Sequence, residues 1–201
     1  MNGVQIRASA AWLRPVLTNW HGLVEAACLA FPQTATARFL EESFVGLLAT
    51  AAWQAGFPAI LQAKCTRAGQ SQSNKHLDLL MQGAEGYAGF EGKVDYVAET
   101  RFSHRLCTAL AAALDDATRC GHPLAQRYYG VAFASMFDYD PSIALRDVLT
   151  ATLQHLETHY PALDALAGVL CDHPGATYRG CILAAQEVSR AVGSGGSLGA
   201  A

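Results

Sequence analysis

Residues 128–137, Tyr-Tyr-Gly-Val-Ala-Phe-Ala-Ser-Met-Phe, are apolar on both parities of an extended chain. A strand with two apolar faces must be covered on both sides, so the chain needs a sheet with further layers against it. Helices to supply those layers are at hand. Trp12, Val16, Trp20 and Leu23 recur at helical spacing over residues 8–29. Pro15 either kinks this helix or sits in its first turn, with the start near Arg14, and Pro32 stops it. Leu40, Phe44, Leu47, Leu48 and Ala51 make the stripe of a second helix over 37–54, closed by Gly56 where a left-handed residue is favoured. The period then changes. Strands are expected at 57–65, 76–81 and 94–102, separated by a polar turn over 66–75 and a loop punctuated by Gly83, Gly86, Gly89 and Gly92. Short strands joined in this way suggest an antiparallel meander. A helix over 103–119, the strand 128–137, a helix over 141–160, a short helix over 162–170 and a last buried strand over 178–186 complete the order. The later strand–helix–strand part predicts a right-handed crossover between parallel strands.

The expected architecture is one α/β domain: a mixed sheet, made of a three-strand meander plus a strand–helix–strand crossover, flanked by helices. Residues 1–35 would be a helical extension packed on it, 36–192 the domain, and 193–201 a Gly/Ser-rich tail. With 201 residues, 51% of them hydrophobic, the chain can fill a core. The Trp-bearing stripe of the first helix needs cover, from its own domain or across a homodimer interface. A net charge of −3 lacks the strongly basic footprint of proteins that hold DNA by charge alone, so any nucleic-acid contact must be a local patch. Residues 1–10 lack the pattern of a secretory signal, and Arg14, Asn19, His21 and Glu25 interrupt the apolar run 12–31, so no membrane span is expected. Six cysteines without paired spacing read as a reduced, cytoplasmic chain without disulfides.

Two carboxylates stand in apolar strand sequence: Asp78 in Leu77-Asp78-Leu79-Leu80-Met81, and Glu99 in Tyr96-Val97-Ala98-Glu99-Thr100-Arg101. A carboxylate in such a strand must be paired, bind a cation or reach the sheet edge, because an unpaired buried charge is costly. Alternation puts Asp95, Val97, Glu99 and Arg101 on one face. Two facing strands could bring Asp78 and Glu99 together, and a hard cation such as Mg²⁺ would relieve their repulsion. The plainer alternatives are an edge carboxylate on a turn amide for Asp78, and a same-face ion pair for Glu99 and Arg101.

With its helix Leu40-Glu41-Glu42-Ser43-Phe44, its Asp strand and its Glu-x-Arg strand, the chain resembles the PD-(D/E)XK nucleases, most closely the Mrr-like restriction enzymes. That resemblance implies a restriction-endonuclease-like fold over about 37–137, with the first helix outside it. It implies metal-dependent hydrolysis of nucleic acid, DNA by the family likeness. Glu41, Asp78 and Glu99 would be ligands of Mg²⁺ or Mn²⁺, and Arg101, with Lys64 from the first strand, would contact the scissile phosphate. Arg101 stands where the family has lysine, and an arginine stays protonated and cannot act as a base. A nuclease fold that has lost catalysis and serves as a binding or scaffold module is the alternative. Lys75 and Lys93 read as solvated charges, Asp115 and Asp116 as helix-surface charges. Of the adjacent Glu41 and Glu42 at least one should face solvent. A rival cluster, His155, His159, Cys171 and His173, puts two histidines on one helix face but matches no closed zinc spacing, and solvent-facing histidines beside a buried thiol are the plainer reading.

Overall fold

In a computed structural model of the chain, residues 3–31, 41–67, 76–98, 102–137, 145–170 and 178–188 are described. Pro15 sits in the first turn of α1 (Arg14–Ala30), where its missing N–H costs nothing, and a 3₁₀ segment, Ala8–Leu13, precedes it. The second helix, α2, covers Glu41–Gln54, and Gly56 follows with φ +81°. The strands are β1 (Gly3–Ile6), β2 (Ala59–Lys64), β3 (Thr66–Arg67), β4 (His76–Gly83), β5 (Gly86–Ala98), β6 (Cys120–Gly121), β7 (Ala125–Phe137), β8 (Ala165–Leu170) and β9 (Tyr178–Glu187). Helix α3 (Phe102–Arg119) lies between β5 and β6, and α4 (Leu145–His159) between β7 and β8.

Seven strands form one mixed sheet in the order β1-β8-β9-β7-β5-β4-β2, and β3 pairs with β6 in a separate ribbon. The meander β2-β4-β5 is antiparallel, as expected, and β5 runs parallel to β7 through α3. The later crossover departs from expectation. Strand β9 is antiparallel to β7, because residues 165–170 are a strand rather than a helix and reverse the chain once more. Ala-Leu-Ala-Gly-Val-Leu is buried at nearly every position, and a fully buried run carries no period to separate helix from strand.

Parity along β7 divides the core. Tyr129, Val131 and Phe133 pack with residues of α1 and α2, whereas Ala132 and Ala134 pack with Leu106 and Leu110 of α3 and Leu156 of α4. The sheet is thus sandwiched between helices, as the doubly apolar β7 requires. The stripe of α1 is covered within the chain. Trp20 is fully buried, 6.2 Å from the Phe133 ring, and Trp12 lies against Phe57, Phe90 and Tyr129 under the Arg127 guanidinium. Cys28, at the buried face of α1, is disulfide-bonded, which corrects the expectation of a chain without disulfides; its partner lies outside the described residues. No helix among the described residues is long and apolar enough to cross a membrane.

Candidate functional site

The site lies where α2 meets the meander. Strands β2 and β4 pair at Leu61 with Leu79 and at Ala63 with Leu77, but between these pairs Gln62 takes φ +54°. A left-handed conformation in a residue with a side chain costs on the order of 1–2 kcal/mol and persists only where the surrounding structure holds it. Opposite it stands Asp78, with its Oδ1 3.5 Å from Gln62 Nε2. Asp78 Oδ2 accepts the Gly92 N–H at 2.8 Å across to β5. A side chain at Gly92 would bring its Cβ within 2.8 Å of Val45 Cγ2, so the glycine lets α2 sit against the sheet here.

Gly92 is flanked by Glu91 and Lys93. The Lys93 ammonium lies 3.6 Å from Glu41 Oε1 at the start of α2 and 3.2 Å from Asp116 Oδ2 on α3, and it donates to the Gly92 carbonyl at 2.9 Å. Burial alone would lower the Lys93 pKa, but Glu41, Asp116 and Asp78 outweigh it and hold the pKa above the ordinary value, so the amine stays protonated. Glu91 is 4% exposed and accepts the Cys120 thiol proton on Oε1 at 2.7 Å. Burial is the main reason its pKa is pushed up to about 7; the Cys120 bond and Lys93 work against this, and the Asp78 and Asp116 charges add to it. Glu41 is raised too, by burial first, with Lys93 opposing and Asp78 reinforcing. A cavity of about 190 Å³ lined by Glu41, Glu42, Val45, Leu61, Gln62 and Asp78 opens beside the group.

Of the residues singled out in the sequence, Glu41 and Asp78 come together. Glu42 is exposed, so Glu41 is the inward member of the pair. Lys64 is exposed on β2 opposite His76 and does not line the cavity. Glu99 and Arg101 lie outside the described residues. Lys93 and Asp116 are not the free surface charges expected of them but are bonded to each other inside the cluster. Glu91 and Cys120 also belong to the group, and Glu91-Gly92-Lys93 is itself a Glu-x-Lys triplet. It lies in the glycine-punctuated stretch that reads as a loop in sequence and is the strand β5. On α4, the His155 and His159 rings stack with centroids 3.9 Å apart, while Cys171 and His173 lie outside the described residues.

A larger cavity of about 290 Å³ sits at the other edge of the sheet, between β1, β8 and the end of α4. Its one carboxylate, Asp164, accepts the Ser9 hydroxyl and the Glu187 N–H, which makes it a structural clamp.

Around Asp78 stand oxygen donors with crowded like charges, the type a hard divalent cation takes, and one carboxyl, Glu91, whose ionisation is suppressed chiefly by burial. Among the described residues no three such side chains are gathered at ligating distance, and Asp78, Glu91 and Glu41 are each engaged with a protein donor. The chain matches no family model, no curated protein and no solved structure.

Proposed function

We propose that this protein is a metal-dependent phosphodiesterase of the PD-(D/E)XK type acting on DNA, with Glu41, Asp78, Glu91 and Lys93 as its site. The observation that carries the reading is the junction at Gly92: the Asp78 carboxylate of one strand grips the backbone between Glu91 and Lys93 of the next. The nuclease resemblance requires an aspartate strand followed by a Glu-x-Lys strand, with a helix glutamate close by. Glu91-Gly92-Lys93 fills that place with the lysine that Glu99-Thr100-Arg101 lacks, and Lys64 does not line the cavity. The order α2, β2-β4-β5 meander, α3, parallel β7 supports the restriction-endonuclease-like fold.

Asp78 and Glu91, with Glu41 beside them, are the residues that would hold Mg²⁺ or Mn²⁺, which when bound activates water and offsets charge on the leaving oxygen. Lys93 is kept charged by Glu41 and Asp116, so it serves the scissile phosphate as a positive charge rather than as a base. Glu91 must be ionised to act, so activity should rise with pH through the neutral range in weakly buffered metal. The test is Mg²⁺-dependent cleavage of plasmid and modified DNA by the intact chain and by Asp78→Ala, Glu91→Gln and Lys93→Ala. Loss of at least a hundredfold in each is expected; cleavage unchanged in Asp78→Ala overturns the reading.

A second reading, a nuclease fold without catalysis that binds or scaffolds, draws on the protein donors that engage Asp78, Glu91 and Glu41. It requires that Mn²⁺ find no specific site. Mn²⁺ binding that is lost in Asp78→Ala eliminates it.

A further inference from the structure

Strand β6 ends the crossover helix α3 and pairs with β3, the two residues that follow Cys65. This ribbon brings Cys65 and Cys120 together, both buried, with their sulfurs 3.6 Å apart and not bonded. The same Cys120 sulfur donates its proton to Glu91. One thiol pair therefore adjoins one site carboxylate, and neither thiol has a part in the chemistry proposed above. We infer that Cys65 and Cys120 form a redox lock on the Glu91 site, open as two thiols and closed as a disulfide made at the expense of a peroxide.

The reaction balances with two thiols and one peroxide. The Cys65 sulfur attacks one peroxide oxygen and the O–O bond breaks, giving a sulfenic acid and one water. The Cys120 sulfur then attacks the Cys65 sulfur and the S–O bond breaks. The hydroxyl leaves with the Cys120 proton as a second water, and Glu91 is the acceptor next to that proton. Two electrons pass from the thiol pair to the peroxide. Closing the bond takes the sulfurs from 3.6 Å to about 2.0 Å, a movement within reach of side-chain rotation. Burial makes both thiols slow toward large reagents, and the short separation favours the intramolecular second step.

The consequence falls on Glu91. As a disulfide Cys120 has no proton to donate, and a carboxylate that is 4% exposed loses the 2.7 Å thiol bond that holds its Oε1 in place. The oxygen is then released from that position and the affinity for a divalent cation falls. This regulatory step rests on the site reading above, whereas the disulfide and its effect on Glu91 can be measured without it.

The experiment treats the intact protein with hydrogen peroxide, maps disulfides by mass spectrometry, follows the Glu91 carboxyl ¹³C chemical shift at one fixed pH, and measures Mn²⁺ affinity before oxidation, after it, and after mild reduction. Cys65→Ser, which keeps the Cys120–Glu91 bond, is carried in parallel. Expected are a Cys65–Cys120 disulfide, a displaced Glu91 carboxyl signal and Mn²⁺ binding weakened about tenfold at neutral pH, all reversible and all absent in Cys65→Ser. Failure of the native protein to form this disulfide, or a Glu91 signal that ignores it, overturns the lock. If the disulfide forms and Glu91 responds but the reduced protein binds no Mn²⁺, the lock stands and the metal reading falls.

Discussion

Glu91 should make the folded protein less stable as pH rises, and removing its charge should reverse that. Its carboxyl is displaced from 4.5 to about 7, chiefly by burial. At 1.36 kcal/mol per pH unit this amounts to about 3 kcal/mol. The sign follows from linkage: the folded state holds the proton more tightly than the unfolded chain. The stability it contributes is present in full below 4.5, declines as pH rises toward about 7, and is gone above that. Glu91→Gln keeps an oxygen that can accept the Cys120 thiol but has no charge to desolvate. Urea unfolding of both proteins at pH 4.5 and pH 8 measures the difference. The variant should gain roughly 2–3 kcal/mol at pH 8 and less than about 0.5 kcal/mol at pH 4.5. Saturating Mn²⁺ at pH 8 should restore the wild type and leave the variant unchanged. Equal gains at both pH values would mean that burial of the charge is not the cause. A loss at pH 8 would mean that Lys93 already compensates Glu91, and the site would then lack the unsatisfied charge that a cation is proposed to relieve.

Gly130→Ala should destabilise the protein by about 2–4 kcal/mol, since the new Cβ would lie 2.6 Å from the Leu114 nitrogen and 2.8 Å from the Ala113 carbonyl carbon, backbone that cannot yield without lifting α3 off β7. Gly46→Ala, in open space on α2, should instead stabilise by up to about 1 kcal/mol, and the pair of urea curves gives both signs in one experiment. Lys93→Ala removes the cation between Glu41 and Asp116 and should cost about 1–2 kcal/mol at pH 7 by the same assay, the pairs being half-buried. Trp20→Ala, which empties a fully buried site against Phe133, should cost about 3–5 kcal/mol in urea unfolding and leave the sedimentation of whatever remains folded unchanged from the parent chain.

Where a hydrophobic period existed, the fold was legible. The stripe Val16-Trp20, the second helix and the antiparallel order of the meander follow from spacing, whereas Pro15 allowed either a kink or a first turn and the third strand, expected at 94–102, begins at Gly86. Period was silent at residues 165–170, buried on both faces, and that silence turned a strand into an expected helix and inverted the last crossover. Asp78 was legible as a charge in an apolar strand that needs a partner, and Glu41 through the resemblance. Their partners were not, because Glu91 and Lys93 lie among glycines, and a glycine every third residue reads as a loop.

Those glycines are strand residues for a packing reason. At Gly89 a Cβ would stand 2.7 Å from the Leu77 side chain and 3.0 Å from the Tyr128 ring; at Gly92 it would stand 2.8 Å from Val45. One glycine lets Leu77 and Tyr128 close over the α3 face, and the other lets α2 descend on the opposite face. The first approach is part of the wall that buries Glu91 beside Cys120, and the second brings Glu41 to Lys93. A strand with ordinary side chains at both positions would announce itself by alternation, but it would hold α2 off the sheet and leave Asp78 without its helix glutamate. The feature that conceals the Glu-x-Lys strand from a periodicity reading is therefore the same one that assembles the carboxylates. Gly92→Ala separates the two roles: it should keep the β5 register, which the flanking pairs with β7 maintain, while moving Val45 and with it Glu41. Mn²⁺ affinity should then fall with secondary structure unchanged by circular dichroism. An unaltered affinity would show that the close approach of α2 does not matter to the site.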